Sequence, residues 1–118
     1  MEIVLTILGI LTALFFFLAS LNGVKKLIKH PNILAIAKRH QIFGGLALVT
    51  ALVHMTFAII LDETRITGLL ALIGVISTVT LGNYFSLKKQ KSLYYAHRVS
   101  GIVTAALIIV HIIFNSQF

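Results

Sequence analysis

Long apolar runs separated by short polar blocks set the pattern of this chain. Ile3 to Leu21 is a run of nineteen residues with only Thr6, Thr12 and Ser20 as weakly polar interruptions. As a helix it crosses about 30 Å of hydrocarbon. Three further runs follow, His40 to Leu61, Ile66 to Leu87 and Ala96 to Phe114. In the third, Gly68, Ala71, Gly74, Ser77 and Thr78 offer small surfaces for close helix packing. The connectors are polar. Asn22 to Arg39 carries Lys25, Lys26, Lys29, Lys38 and Arg39, yet Val24, Leu27, Ile28, Ile33, Leu34 and Ile36 keep it partly apolar, as befits an interfacial segment. Pro31 disfavours helix at His30, and Asn32 is a plausible cap, so a turn is expected there. Asp62-Glu63-Thr64-Arg65 is short enough only for a tight turn, which makes the second and third helices antiparallel neighbours. The pattern predicts an all-α membrane protein, a four-helix transmembrane bundle running up-down-up-down with helices about 3–21, 40–61, 66–87 and 96–114.

Composition agrees with lipid as the solvent for most of the chain. The 118 residues are 58% apolar, with a mean hydropathy of +1.02. They suffice for one domain made of two hairpins, about 1–61 and 62–118. The first run lacks the basic leader of a secretory signal and reads as a retained span, with Ala19-Ser20-Leu21 the place where a cleavage would fall. The net charge of +7 comes from basic residues at the ends of spans. Topology and anionic lipid account for them there, and nucleic acid is not an expected partner. Segments 22–39 and 88–95, with Arg98 just inside the last helix, hold nine of the ten Lys and Arg residues. The positive-inside rule therefore puts these loops in the cytoplasm and both termini outside a cytoplasmic membrane. Tyr84, Tyr94 and Tyr95 mark the same surface.

Four histidines interrupt the apolar pattern. His40 and His54 are fourteen residues apart on the second helix, and His97 and His111 have the same spacing on the fourth. Fourteen residues make about 3.9 turns, so both rings of a helix leave one face roughly 21 Å apart along its axis. Helices two and four run in the same direction and sit diagonally across an up-down-up-down bundle. His40 then faces His97 near the cytoplasm, and His54 faces His111 nearer the outside. An offset of 57 residues relates the two pairs, and Gly44 to Gly101 keeps it, as in two hairpins related by an axis along the membrane normal.

Ionisable groups inside hydrocarbon default to function with a named partner. A lone buried histidine is more often hydrogen-bonded or lines a pathway. Four at equal spacing, paired by depth, read as axial ligands of two haems. With both axial positions filled by imidazole, such a site moves electrons without binding substrate at the metal. There is no cysteine, which excludes thiolate and iron–sulfur ligation and the covalent attachment of a c-type haem, so the expected cofactor is non-covalent haem b. Gly44 and Gly101 lie one turn deeper than His40 and His97 and are candidates for clearance of a macrocycle. Arg98 and then Arg39, with Lys38, are candidate propionate partners, and Arg65 either does this for the outer site or pairs with Asp62 or Glu63. Thr50 is a candidate partner for the second nitrogen of His54. His30 has no partner at helical spacing and is read as interfacial. No acid lies within an apolar span, which argues against a proton pump or cation carrier.

The arrangement resembles the transmembrane di-haem cytochrome b class: the four-helix core of ascorbate-type transmembrane cytochromes, of ferric reductase and NADPH oxidase membrane domains, and of quinol-oxidising cytochrome b subunits. His97-Arg98-Val99-Ser100-Gly101 is similar to the His-Arg-x-x-Gly run of several of them, and Arg39-His40 followed by Gly44 is a looser version. The resemblance implies transmembrane electron transfer from a cytoplasmic-side or membrane donor to an acceptor outside. The extra helices, fused flavin domain and long quinone-site loops of the larger families are absent, so an electron donor or acceptor such as a soluble flavoprotein or quinone must come from elsewhere. A haem-bearing membrane anchor, passing electrons between a partner dehydrogenase and quinone, is the second expectation. A haem-free membrane binding protein is the third.

Overall fold

The computed structural model of the chain describes residues 2–24 and 30–114, which form five helices: α1 (Glu2–Val24), α2 (Pro31–Ala37), α3 (His40–Ile60), α4 (Ile66–Lys88) and α5 (Lys91–Ile113). All except α2 are long and apolar enough to cross a membrane. Lys25, Lys26 and Lys29 lie outside the described residues.

Two boundaries differ from the sequence expectation. The segment before α3 contains a short helix of its own, capped by His30 rather than Asn32: the His30 ring nitrogen Nδ1 accepts from the Asn32 N–H at 3.2 Å. Pro31 explains both facts, because it pushes the preceding residue into extended backbone and suits the first helical position. The last helix starts at Lys91, not Ala96, so most of the expected loop 88–95 is helix. Lys91-Ser92-Leu93 contains no helix breaker, and a count of apolar residues does not register helical turns that project beyond the hydrocarbon.

The turns are tight because single residues close them. Asp62 takes a left-handed conformation after α3 (φ 56°) while the Glu63 N–H returns to the Ala58 carbonyl at 2.8 Å. Lys89 does the same after α4 (φ 56°), its N–H reaching the Phe85 carbonyl at 2.8 Å. This is the geometry by which helix ends satisfy their last carbonyls.

The four long helices form an all-α bundle of two close hairpins. α1 packs along α3, and α4 along α5; between hairpins, α3 meets α4 and α1 meets α5 over much shorter stretches. The diagonals are therefore α1 with α4 and α3 with α5, the placement expected for the two histidine-bearing helices. Large apolar side chains point outward, with Ile3, Ile59, Ile60, Ile66, Ile102 and Leu87 all well exposed. The interior is built from small residues: Ala13, Ala19, Ala47, Ala51, Ala58, Ala71 and Thr104, with Phe16, Val75 and Ile108 as the larger members. Lipid tails are as apolar as leucine, so association depends on backbones coming close enough for van der Waals contact, which small side chains permit.

Ala47 is 1% exposed and Val49 is 57% exposed on the same helix. Ala47→Leu is expected to destabilise by about 1–3 kcal/mol through overpacking. Val49→Leu should be close to neutral, both read by thermal unfolding in detergent micelles.

Candidate functional site

The stripe of α3 that faces the interior runs His40, Ala47, His54, and that of α5 runs His97, Thr104, His111. A seven-residue step nearly closes two helical turns, so all three positions stay on one face with a drift of about 20° per step. Ala47 and Thr104 are the least exposed of the buried residues, at 1% and 0%. The bundle is thus closed at its waist, with one histidine layer on either side.

Each layer joins the two diagonal helices. The ring centroids of His40 and His97 are 5.8 Å apart, with planes at 83°; those of His54 and His111 are 6.3 Å apart, at 69°. The pairing by depth read from the spacing is the pairing the fold produces. Two imidazoles on opposite sides of one metal, each at a bond of about 2 Å, have their ring centroids about 6 Å apart.

The rings are oriented by the other helix of their own hairpin. His40 Nδ1 lies 2.8 Å from the Ala19 carbonyl on α1, and His97 Nδ1 lies 2.7 Å from the Thr78 carbonyl on α4. A carbonyl only accepts, so Nδ1 carries the proton in both rings and Nε2 keeps its lone pair. This is the tautomer that metal-bound histidines commonly use. His111 Nδ1 meets the Thr67 hydroxyl on α4 at 2.9 Å. His54 Nδ1 is buried with the Leu5 carbonyl of α1 within electrostatic reach, but no partner stands at hydrogen-bond geometry among the described residues.

Glycines make room for these rings. A Cβ built on Gly9 would stand 3.2 Å from His54 Cε1, on Gly68 2.9 Å from His111 Cε1, and on Gly82 2.9 Å from His97 Cε1. Sequence reasoning missed all three in this role, although a signal was there. Gly9 and Gly23, and again Gly68 and Gly82, are fourteen residues apart, the interval of the histidines they accompany. Of the four, Gly23 meets nothing within 4 Å. Thr78 also ties the second hairpin together at the waist, its hydroxyl 2.7 Å from Ser100 Oγ and 3.2 Å from Thr104 Oγ1. Gly74 admits Thr104, whose Oγ1 would lie 2.5 Å from an added Cβ.

The remaining sequence candidates fall as follows. Gly44 faces open space, and a Cβ on Gly101 would make only an ordinary contact at 3.8 Å with Thr78. Arg39, Arg98 and Lys38 are exposed at the His40–His97 end. Arg98 donates to the Tyr94 hydroxyl at 3.1 Å and lies over its ring. Arg65 pairs with Glu63 at 3.2 Å. Thr50 donates to the Leu46 and Ala47 carbonyls (2.8 and 3.1 Å) and makes no bond to His54. A threonine inside a helix has its own preceding turn within reach, which wins over a more distant ring.

A cavity of about 600 Å³ opens at the His54–His111 layer, walled by residues such as Gly9, Ala51, Met55 and Leu72, with Glu63 and Arg65 at its polar end. Its size and apolar lining are those of a small-molecule or cofactor site. Each layer supplies two imidazoles, and no group of three or more histidine or acidic side chains stands together among the described residues. A bare zinc or iron ion takes more protein ligands than that. A metal already held in a macrocycle needs only the two axial positions, so the donor set fits haem.

In cofactor-free protein His40 and His97 are expected as Nδ1–H tautomers in nitrogen-15 NMR spectra, and Gly82→Val should abolish that state for His97 while leaving His40 unchanged. Compared with known proteins, the chain matches no family model, no curated protein and no solved structure, so the four histidines and their surroundings carry the functional reading by themselves.

Proposed function

We propose that this chain carries electrons across a membrane through two non-covalent haem b groups, one between His40 and His97 and the other between His54 and His111, as the resemblance to di-haem cytochromes b implies. The observation that carries the reading is the meeting of both histidine pairs across the bundle diagonal at 5.8 and 6.3 Å, with the Nδ1 atoms of His40 and His97 engaged by carbonyls so that their Nε2 atoms keep a lone pair. Haem held by two imidazoles supplies a one-electron couple with no open coordination position.

The chain's own residues do the rest. Ala19 and Thr78 orient His40 and His97 through their carbonyls, and Thr67 orients His111. Gly9, Gly68 and Gly82 let the rings sit close to the neighbouring helix, and Gly44 leaves its helix surface bare one turn from His40. The waist of Ala47, Val75 and Thr104 excludes water between the layers, which are about 21 Å apart along the axis. Arg98 and Arg39 would hold the propionates of one group, and Arg65 those of the other. The cation distribution orients the bundle with the His40–His97 layer toward the cytoplasm and both termini outside the cytoplasmic membrane. Electrons then pass from a cytoplasmic or membrane donor, a flavoprotein or a quinol, to an acceptor outside.

The anchor reading shares this chemistry and adds a tightly held dehydrogenase. The exposed cluster of Lys88, Lys89, Lys91 and Arg98 favours it as a landing surface for an acidic partner. Native purification separates the two: a stoichiometric soluble subunit, with little activity without it, supports the anchor.

The protein purified from membranes should contain about two b haems per chain, and near zero would refute both readings. His40→Ala and His97→Ala should each remove the same haem, and His54→Ala and His111→Ala the other. Removal of spectroscopically different haems by His40→Ala and His97→Ala would refute the pairing.

A further inference from the structure

We infer that the His54–His111 site takes its haem sideways from the bilayer, through the side of the bundle between α1 and α5, with Ile10 and Ile112 as the lips of the entrance. This rests on the reading that the pair ligates haem.

The walls of the cavity show where it opens. Thr6, Ile10 and Leu14 of α1 and Ile112 of α5 line it and are also exposed on the outside of the bundle, whereas the lining residues of α3 and α4 are buried or half-buried. Thr6, Ile10 and Leu14 follow one another at intervals of four, so they form one continuous edge of α1. Behind that edge α1 presents the small residues Gly9 and Ala13 to the cavity.

This is also the side of the bundle that is held least firmly. α1 packs closely along α3 and α4 along α5, and the Asp62–Arg65 turn ties α3 to α4. α1 and α5 are the first and last of the long helices, so no turn joins them, and they meet over the shortest stretch of the four sides.

The other routes are obstructed. Toward the His40–His97 layer, Ala47 and Thr104 close the waist at 1% and 0% exposure, so a macrocycle does not pass from one pair to the other. At the end of the bundle, Glu63 and Arg65 form an ion pair at 3.2 Å beside the cavity, and an apolar ring driven past them from water would strip solvent from both charges. Haem is amphipathic, with an apolar ring that favours acyl chains and carboxylates that favour the headgroups. Passage between α1 and α5 keeps each part in its own surroundings. The ring exchanges acyl chains for apolar walls, and the carboxylates stay at the level of Arg65, at the polar end of the cavity.

The chain contains no cysteine, so one introduced thiol can be labelled alone. The test uses full-length, cofactor-free protein in phosphatidylcholine vesicles, with His97→Ala to leave only the His54–His111 pair, and follows uptake of haemin from the bilayer by Soret absorption. Ile10→Cys or Ile112→Cys, modified with benzyl methanethiosulfonate, should take up haemin about tenfold more slowly, and removal of the label by a thiol reductant should restore the rate. The same label on Ile73→Cys, exposed on α4 and outside the cavity lining, should change nothing. Label added to Ile10→Cys after haem is bound should leave the spectrum unaltered, and in a His54→Ala background it should leave loading of the His40–His97 pair unaltered. The inference is overturned if a label at either lip leaves the rate unchanged, if Ile73→Cys slows uptake equally, if both pairs are slowed alike, or if labelling the loaded protein changes its spectrum. Should one lip variant fail to fold, the other decides. Unlabelled protein that takes up no haemin would overturn the proposed function as well, whereas uptake that ignores the label would overturn only this inference.

Discussion

Everything in this bundle depends on imidazoles held from behind. An imidazole within an apolar bundle has two nitrogens to satisfy, and in His40 and His97 one of them is engaged by a backbone carbonyl of the helix alongside, at 2.8 and 2.7 Å. That bond decides which nitrogen is protonated, which way the ring points and what remains available at the diagonal. It also explains the glycines. A ring turned toward the neighbouring helix brings its Cε1 edge against that helix, where Gly68 and Gly82 leave space that a methyl group would occupy at 2.9 Å.

The two hairpins divide the work accordingly. In each, the first helix supplies the space and, in most of the rings, the Nδ1 partner, while the second supplies the ring. Packing is denser within hairpins than between them, and the histidine layers bridge the seam between the two. Ala47 and Thr104, related by the same offset of 57 residues as the histidines, close that seam at mid-height. The waist separates two histidine layers at two depths, and a cavity opens beside His54 and His111. With lipid outside, the small-residue contacts and the Thr78–Ser100–Thr104 hydroxyl cluster carry the cohesion that burial carries in a water-soluble bundle.

Much of this was legible in the sequence because membrane solvent imposes a simple grammar. Run lengths located the four spans, the short Asp62–Arg65 turn fixed neighbours, and equal histidine spacing predicted both the diagonal and the pairing by depth. The starts of α2 and α5 were not legible from apolarity, since helical turns at the water interface follow local chemistry such as Pro31 and not the hydrocarbon. The partners of the histidines were harder still. Ala19 and Thr78 act through their carbonyls, which every residue has, so no side-chain pattern marks them. Thr50 stood at a suggestive interval from His54 but lies in mid-helix, where its own turn takes the hydroxyl; Thr67 stands at a helix start, where no turn competes. The glycines at fourteen-residue intervals were readable, but only once it was known that α1 and α4 are the helices the rings lean on.

The central claim is that each pair of histidines, and nothing else in the chain, ligates one metal. Low-temperature electron paramagnetic resonance of the oxidised protein, purified with its native cofactor, addresses it most directly. Two distinct low-spin ferric signals, each from a six-coordinate iron between two imidazoles, are what this account predicts. A high-spin signal as the main species, a single low-spin centre or no haem iron at all would contradict it.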